Sequence, residues 1–260
     1  LARKQFVIFY FYVRGDRTVM ALTRVKNPGN FTVDGNVGIG TSSFNSKLEV
    51  KGVSSNGSVR VIPNSDNAEA SIGYYQDTAG TNMTDRWVAG VGGWGNTNQF
   101  TIGNSASPKL KIDTSGRVTM PYQPAFWATS TSSNVNISST AATNFNVTRV
   151  NVGNHYNTSN KRFTAPVSGT YYFECVIQSH GASSAHQHAL GVGLLKNGNS
   201  FKDQYHGSGG ATNYITVNCN AMIYLNQSDF VTSQIQPGIS IDIEYSGGID
   251  RCHFSGYLIG

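Results

Sequence analysis

Between Arg162 and Gln178 the chain reads Arg-Phe-Thr-Ala-Pro-Val-Ser-Gly-Thr-Tyr-Tyr-Phe-Glu-Cys-Val-Ile-Gln. After the turn at Pro166 to Gly169, the side chains of Tyr171, Phe173, Cys175 and Ile177 fall on alternate positions. Glu174 and Gln178 occupy the other parity, with Tyr172 and Val176 between them. Period two with aromatic and β-branched enrichment is the pattern of a strand that buries one face. A strand of this kind needs a second layer to cover that face, so its neighbours must supply a facing sheet.

The neighbours carry the same pattern. His186, His188, Leu190, Val192 and Leu194 share one parity, and Lys196-Asn-Gly-Asn199 follows as a hairpin-type turn. Ile215, Val217, Cys219, Ala221, Ile223 and Leu225 alternate with Thr216, Asn218 and Asn220. Ile239, Ile241, Ile243 and Tyr245 alternate with Ser240, Asp242 and Glu244. With Asn144–Val152, Phe230–Gln236 and Cys252–Ile259, this predicts about eight antiparallel strands over residues 126–260, arranged as a two-sheet jelly-roll sandwich.

Four phrases in this region also occur in the order of a known signature. They are Phe163-Thr-Ala-Pro-x-x-Gly-x-Tyr-x-Phe173, Leu194-Leu-Lys-Asn-Gly198, Tyr224-Leu-Asn-Gln-Ser-Asp-Phe-Val231 and Phe254-Ser-Gly-Tyr-Leu258. Together they resemble the C1q/tumour-necrosis-factor-like globular head, with Ser228 where that family has glycine. The resemblance implies an all-β jelly-roll head that packs three to a unit around an apolar axis, a homotrimer. The family is functionally diverse, so the fold leaves the ligand open.

Residues 31–125 read differently. Phe31–Ile39, Lys47–Lys51, Ala70–Tyr75, Arg86–Gly90, Gln99–Ile102 and Leu110–Met120 are short β units split by Gly and Asn. Units this short suit a β shaft in which three chains share a core. Val37-Gly-Ile-Gly-Thr-Ser-Ser43, Lys47-Leu-Glu-Val50 and Leu110–Phe126 resemble the shaft of bacteriophage tail fibres. That resemblance implies a virion tail protein that attaches to a host-surface polysaccharide or protein, beside other tail proteins. A secreted C1q-like adhesin or lectin is the alternative. Pro121 and Pro124 mark the joint, where an extended path is favoured over helix. Gly90-Val-Gly-Gly-Trp-Gly95 spells a dinucleotide fingerprint, but Asn96–Ile102 then predicts turn and strand where phosphate binding needs a helix.

Charge is sparse, at 13% of residues, and uneven. Arg3, Lys4, Arg14 and Arg17 face only Asp16 in residues 1–19, whereas residues 126–260 hold six basic and six acidic side chains. The net charge of +5 therefore argues neither for nucleic acid nor for an anionic partner of the head. Residues 1–30 form a leader, of which 1–19, with the aromatic run Phe6–Val13, reads as upstream sequence ahead of Met20. Arg14-Gly15-Asp16 lies inside it and carries no weight. No run is long enough to span a membrane. Cys175, Cys219 and Cys252 sit in strand-like runs without metal-type spacing, as small buried residues.

No nucleophile–base pair, P-loop or His-Glu-x-x-His motif is present, so no catalytic residues and no enzyme activity are expected. His186 and His188 lie at i and i+2 of a strand and point the same way, so a trimer axis could gather them around a metal ion, the one cofactor the spacing permits. If eight strands alternate in direction, the loops at 154–160, 196–200, 226–229 and 246–251 lie at the free apex. The binding candidates are then Tyr156, Lys196, Asn197, Asn226, Asp250 and Arg251.

Overall fold

The computed structural model describes residues 37–39, 45–51, 59–63, 65–77, 86–104, 107–132, 134–180, 188–208, 214–238, 240–245 and 250–260. The chain divides into two compact units, Leu1–Val61 and Ile62–Gly260. In the first, β1 (Val37–Ile39) and β2 (Leu48–Val50) pair in parallel.

The second unit begins with an antiparallel meander of β3 (Ala70–Tyr74), β4 (Trp87–Val91), β5 (Phe100–Asn104), β6 (Ser107–Ile112) and β7 (Val118–Thr119). Each of these strands pairs with its sequence neighbour. The segment spelling Gly90-x-Gly92-x-x-Gly95 is the end of β4 and a 3-10 turn at Gly93–Gly95, and β5 follows at once. No helix N-terminus is there to hold a phosphate, so the dinucleotide reading fails on structure as on sequence. The β6–β7 turn is closed by Asp113, whose carboxylate accepts from the Ser115 and Arg117 amides and pairs with the Arg117 guanidinium.

The sandwich follows as β8 (Ala125–Thr129), β9 (Asn134–Ile137), β10 (Ala141–Ala142), β11 (Val147–Val152), β12 (Tyr156–Asn157), β13 (Arg162–Thr164), β14 (Gly169–His180), β15 (His188–Lys196), β16 (Asn199–Ser208), β17 (Tyr214–Leu225), β18 (Phe230–Pro237), β19 (Ile241–Glu244) and β20 (His253–Leu258). The expected all-β jelly-roll sandwich is what forms. The stretch that alternates most clearly in sequence, β14, is the axis of one sheet. β17 pairs with it from Gly169 to His180 on one side, while β20 and then β19 line its other side. Beyond β20 come β8 and β11, and β9 flanks β19. The facing sheet runs β12-β13-β18-β15-β16.

Parity decides burial throughout. Tyr171, Phe173, Cys175 and Ile177 are fully buried, as are Leu190, Val192 and Leu194 across the sandwich. Their core includes an aromatic cluster in which Phe126 stacks on Tyr156 at 4.9 Å and on Phe163 at 5.1 Å, with Phe254 edge-on at 4.9 Å. Aromatic pairs of this kind add about 0.5–1.5 kcal/mol each beyond area burial. Gly256 of the closing Phe-Ser-Gly-Tyr-Leu phrase sits against this cluster, where a Cβ would stand 2.6 Å from Phe173 Cδ1 and 2.9 Å from Phe126 Cε1.

Strand direction departs from the simple alternation of eight strands. β20 is antiparallel to both β8 and β14, so β8 and β14 run the same way. The short strands β9 to β13 use up the intervening chain and reset the count. The end holding Ala125, where the chain comes in, therefore also holds Gly169, Leu225 and Leu258, and the far end holds Thr129, His180 and Tyr214.

Candidate functional site

One parity of the β8–β20–β14–β17 layer is core, and the other faces outward. On β14 the outward residues are Tyr172, Glu174, Val176 and Gln178. Register sets Met222, Asn220, Asn218 and Thr216 of β17 beside them on one side, and Tyr257, Ser255 and His253 of β20 on the other. Trp127 of β8 lies next to Ser255.

This face has two zones. Toward the Ala125 end it is aromatic and apolar. The Tyr172 and Tyr257 rings lie 5.6 Å apart, and Met222 beside them is 69% exposed, with Tyr224 and Ile259 also exposed. In mid-sheet it turns polar. Glu174 Oε1 accepts from Asn218 Nδ2 at 2.8 Å, and Oε2 lies 3.8 Å from His253 Nε2. The His253 ring packs 5.2 Å from the Trp127 indole. Contiguous apolar surface of this kind on a folded chain marks an interaction site.

The loops named from sequence do not gather at one apex. Val152 pairs with Ala125, so the turn after β11 lies at the end where the chain comes in. The β15–β16 and β17–β18 turns are at that end too, and Lys196 Nζ donates to the Tyr224 carbonyl at 2.9 Å. The apex placement is therefore corrected for Tyr156, Lys196, Asn197 and Asn226. Tyr156 is a core residue, only 3% exposed, and its hydroxyl donates to the Phe145 carbonyl at 3.0 Å. Asn197 and Asp229 organise the two turns. Asn197 Nδ2 donates to Asp229 at 2.7 Å, Asn197 Oδ1 accepts from the Phe230 amide, and Asp229 accepts from the Asn226 amide and pairs with Lys196 at 3.1 Å. The Asn197 side chain, the Asn226 amide and Lys196 hold the Asp229 carboxyl below its usual 3.8. Asn197 and Gly198 both have positive φ, 51° and 82°, which is why this hairpin reads Asn-Gly.

Asp250 and Arg251 sit apart from these, toward the far end. Asp250 receives two bonds from Arg149, at 2.9 and 3.1 Å, and one from the Thr129 hydroxyl. Arg149 is chiefly what holds the Asp250 carboxyl below its usual range. Arg251 Nη1 pairs with Glu244 Oε1 at 2.5 Å and reaches Gln178 at 3.4 Å.

A family model, the C1q domain, matches residues 125–259, slightly more than half of the chain. The chain belongs to the C1q domain family. The C1q domain begins where β8 begins and ends one residue past β20. The chain is similar to the human complement C1q tumor necrosis factor-related protein 5, at 32% identity over 140 residues. The match covers 54% of this chain and 55% of that protein, so the chain spans about half the length of this curated relative. The globular domain of zebrafish complement 1qA aligns over 53% of this chain and 98% of that one, at 19% identity and a TM-score of 0.40. Eiger TNF from S. frugiperda aligns over 54% and 94%, at 11% identity and a TM-score of 0.43.

The three cysteines of the C1q domain are free and buried. Burial pushes the Cys252 thiol up to about 11 and raises Cys175 further, so neither is a nucleophile at neutral pH. Cys175 and Cys219 stand opposite each other in register, a proximity that spacing alone does not reveal. His186 lies outside the described residues, and His188 is described only through its backbone in β15. Among the described residues no group of three His, Cys, Asp or Glu side chains is arranged to hold a metal. Sequence reasoning missed the outward aromatic zone. Its signal was present in Tyr172, Met222, Tyr224 and Tyr257, large side chains in the parity opposite to the core.

Proposed function

We propose that this chain is a multivalent binding protein that acts outside the cell, without catalysis. Its C1q domain assembles as a homotrimer through the outward aromatic zone, and the trimer engages a surface polysaccharide or protein. The observation that carries this reading is the exposure of Met222, Tyr224 and Tyr257 in one contiguous zone on the outer face of the sandwich. Membership of the C1q domain family supports it, since domains of this kind commonly pack in threes. The even charge of the domain fits a polar, uncharged or mixed ligand better than nucleic acid. Among the described residues no helix is long and apolar enough to cross a membrane.

Similarity to a C1q tumor necrosis factor-related protein favours a secreted adhesin or lectin of C1q type. The second reading, a bacteriophage tail-fibre tip in the virion, rests on the short-strand sheet and the shaft-like phrases that precede the domain. Antibody labelling of virions seen by electron microscopy separates the two, because tail decoration belongs only to the second.

Multivalency is tested on arrays of purified surface polysaccharides and glycoproteins. Three linked contacts raise apparent affinity by about 10²–10⁴ over one. Met222→Glu with Tyr257→Glu is expected to give a folded monomer that has lost that gain. A monomeric variant that binds as tightly as the parent would sink the multivalent reading.

A further inference from the structure

The five-stranded sheet β3–β7 has one face covered by its own chain and one face left open among the described residues. On the covered side Val88 and Thr101 are 2% and 1% exposed. Trp94 folds over this side so closely that a Cβ on Gly103 would stand 2.8 Å from its Cη2. Lys111 Nζ reaches across to Asn96 Oδ1 at 3.0 Å.

The opposite face is built in rows by the strand register. Ala70, Val91, Phe100, Ile112 and Val118 form one row across all five strands. Ile72, Ala89, Ile102 and Leu110 form the next, and Tyr74, Trp87, Asn104 and Ser107 the third. No row residue is itself charged, and among the described residues the one cation bonded to a row residue is Lys109 Nζ, 3.1 Å from Ser107 Oγ at the edge of the third. Ile72, Tyr74, Trp87, Val91, Phe100 and Val118 are 41–58% exposed. A single sheet of strands two to six residues long with its apolar face in water is marginal, and such a face marks an interaction site.

We propose that the occupant is the same face of the other copies of this chain, so that the β3–β7 sheets of the three protomers bury a second shared core beside the C1q domains. Two observations select this occupant. A face of two apolar rows and a third that pairs Tyr74 and Trp87 with Asn104 and Ser107 is complemented by a surface equally apolar, and a second copy supplies one. Only residues 120–124 separate β7 from β8, and the Gln123 side chain and Pro124 carbonyl bond to Leu258 of the C1q domain at 2.7 and 3.0 Å. Copies joined through their C1q domains therefore hold their sheets at high effective concentration. The inference rests on the trimer reading, and the test separates the two.

In the full chain, Ala89→Cys places a thiol at the centre of the open face, and Thr119→Cys places one on the other face; the native thiols are buried. With a short bis-maleimide, Ala89→Cys is expected to form covalent oligomers at least about tenfold faster than Thr119→Cys. Hydrogen exchange of β3–β7 in the unmodified chain is expected to be slow and to quicken in Ile102→Glu, while sedimentation still reports a trimer. A trimer whose Ala89→Cys form crosslinks no faster than the control overturns this inference and leaves the C1q trimer standing. Slow exchange without crosslinking assigns the face to another occupant and overturns it equally. A monomer in sedimentation overturns both.

Discussion

In the sandwich, Tyr171, Phe173, Cys175 and Ile177 of β14 meet Leu190, Val192 and Leu194 from the facing sheet, and all seven are fully buried. In the five-stranded sheet the corresponding rows, among them Ile72, Ala89 and Ile102, meet no second layer among the described residues. Both regions are built of alternating antiparallel strands, up to 12 residues long in the sandwich and two to six in the five-stranded sheet. The difference is that the C1q domain carries two sheets per chain and closes on itself, whereas the β3–β7 region carries one. Alternation thus specifies that a face must be covered, without specifying whether the same chain covers it.

Truncation should expose that difference most strongly. Phe173→Ala removes a ring from the closed core and is expected to cost about 3–5 kcal/mol, with a loss in thermal denaturation that does not depend on protein concentration. Phe100→Ala, on the open face, is expected to cost less, and its cost should grow with concentration because it acts through assembly. Equal, concentration-independent losses would erase the distinction between the two regions.

A smaller effect is expected at the polar groups that close the sandwich. Tyr156→Phe deletes the hydroxyl that donates to the Phe145 carbonyl. Tyr245→Phe deletes the acceptor of the Asn144 amide at 3.0 Å. Each should lower stability by about 1 kcal/mol in denaturant titration. A loss near zero would show that water replaces these contacts and that the core is less closed than its geometry.

The smallest effect concerns Asp229 at the paired turns. Its carboxyl is held below the usual 3.8, so its contribution is present above that value and is lost as the pH falls through the lower folded value. The melting temperature of Asp229→Asn is expected to lie slightly below the parent at neutral pH, and the gap should close in acid. A gap that persists well below pH 3.8 would assign the loss to turn geometry instead of charge.

Much of the sandwich was legible because burial follows parity, and parity is written in the residues. Ile215, Val217, Cys219, Ile223 and Leu225 are buried as their alternation requires. The Asn197-Gly198 turn was legible because few residue pairs accept two positive φ values. Strand direction was not. It depends on how many short strands lie between β8 and β14, and two-residue strands such as β10 and β12 have no periodicity to detect. That miscount moved Lys196, Asn197 and Asn226 to the wrong end, and Tyr156, polar only at its tip, passed for a surface aromatic. The open rows of β3–β7 were hidden for another reason. They depend on the pairing register, including the shift between Ile102 and Gly103, which no single strand encodes.

The account stands on apolar faces that one chain leaves uncovered, and the mass of the particle in solution tests it most directly. Sedimentation equilibrium of the full chain at micromolar concentration is predicted to give a single species of three chains, each of 28.0 kDa. A stable monomer of 28.0 kDa, with the Met222 and Ile72 faces bare in water, would contradict it.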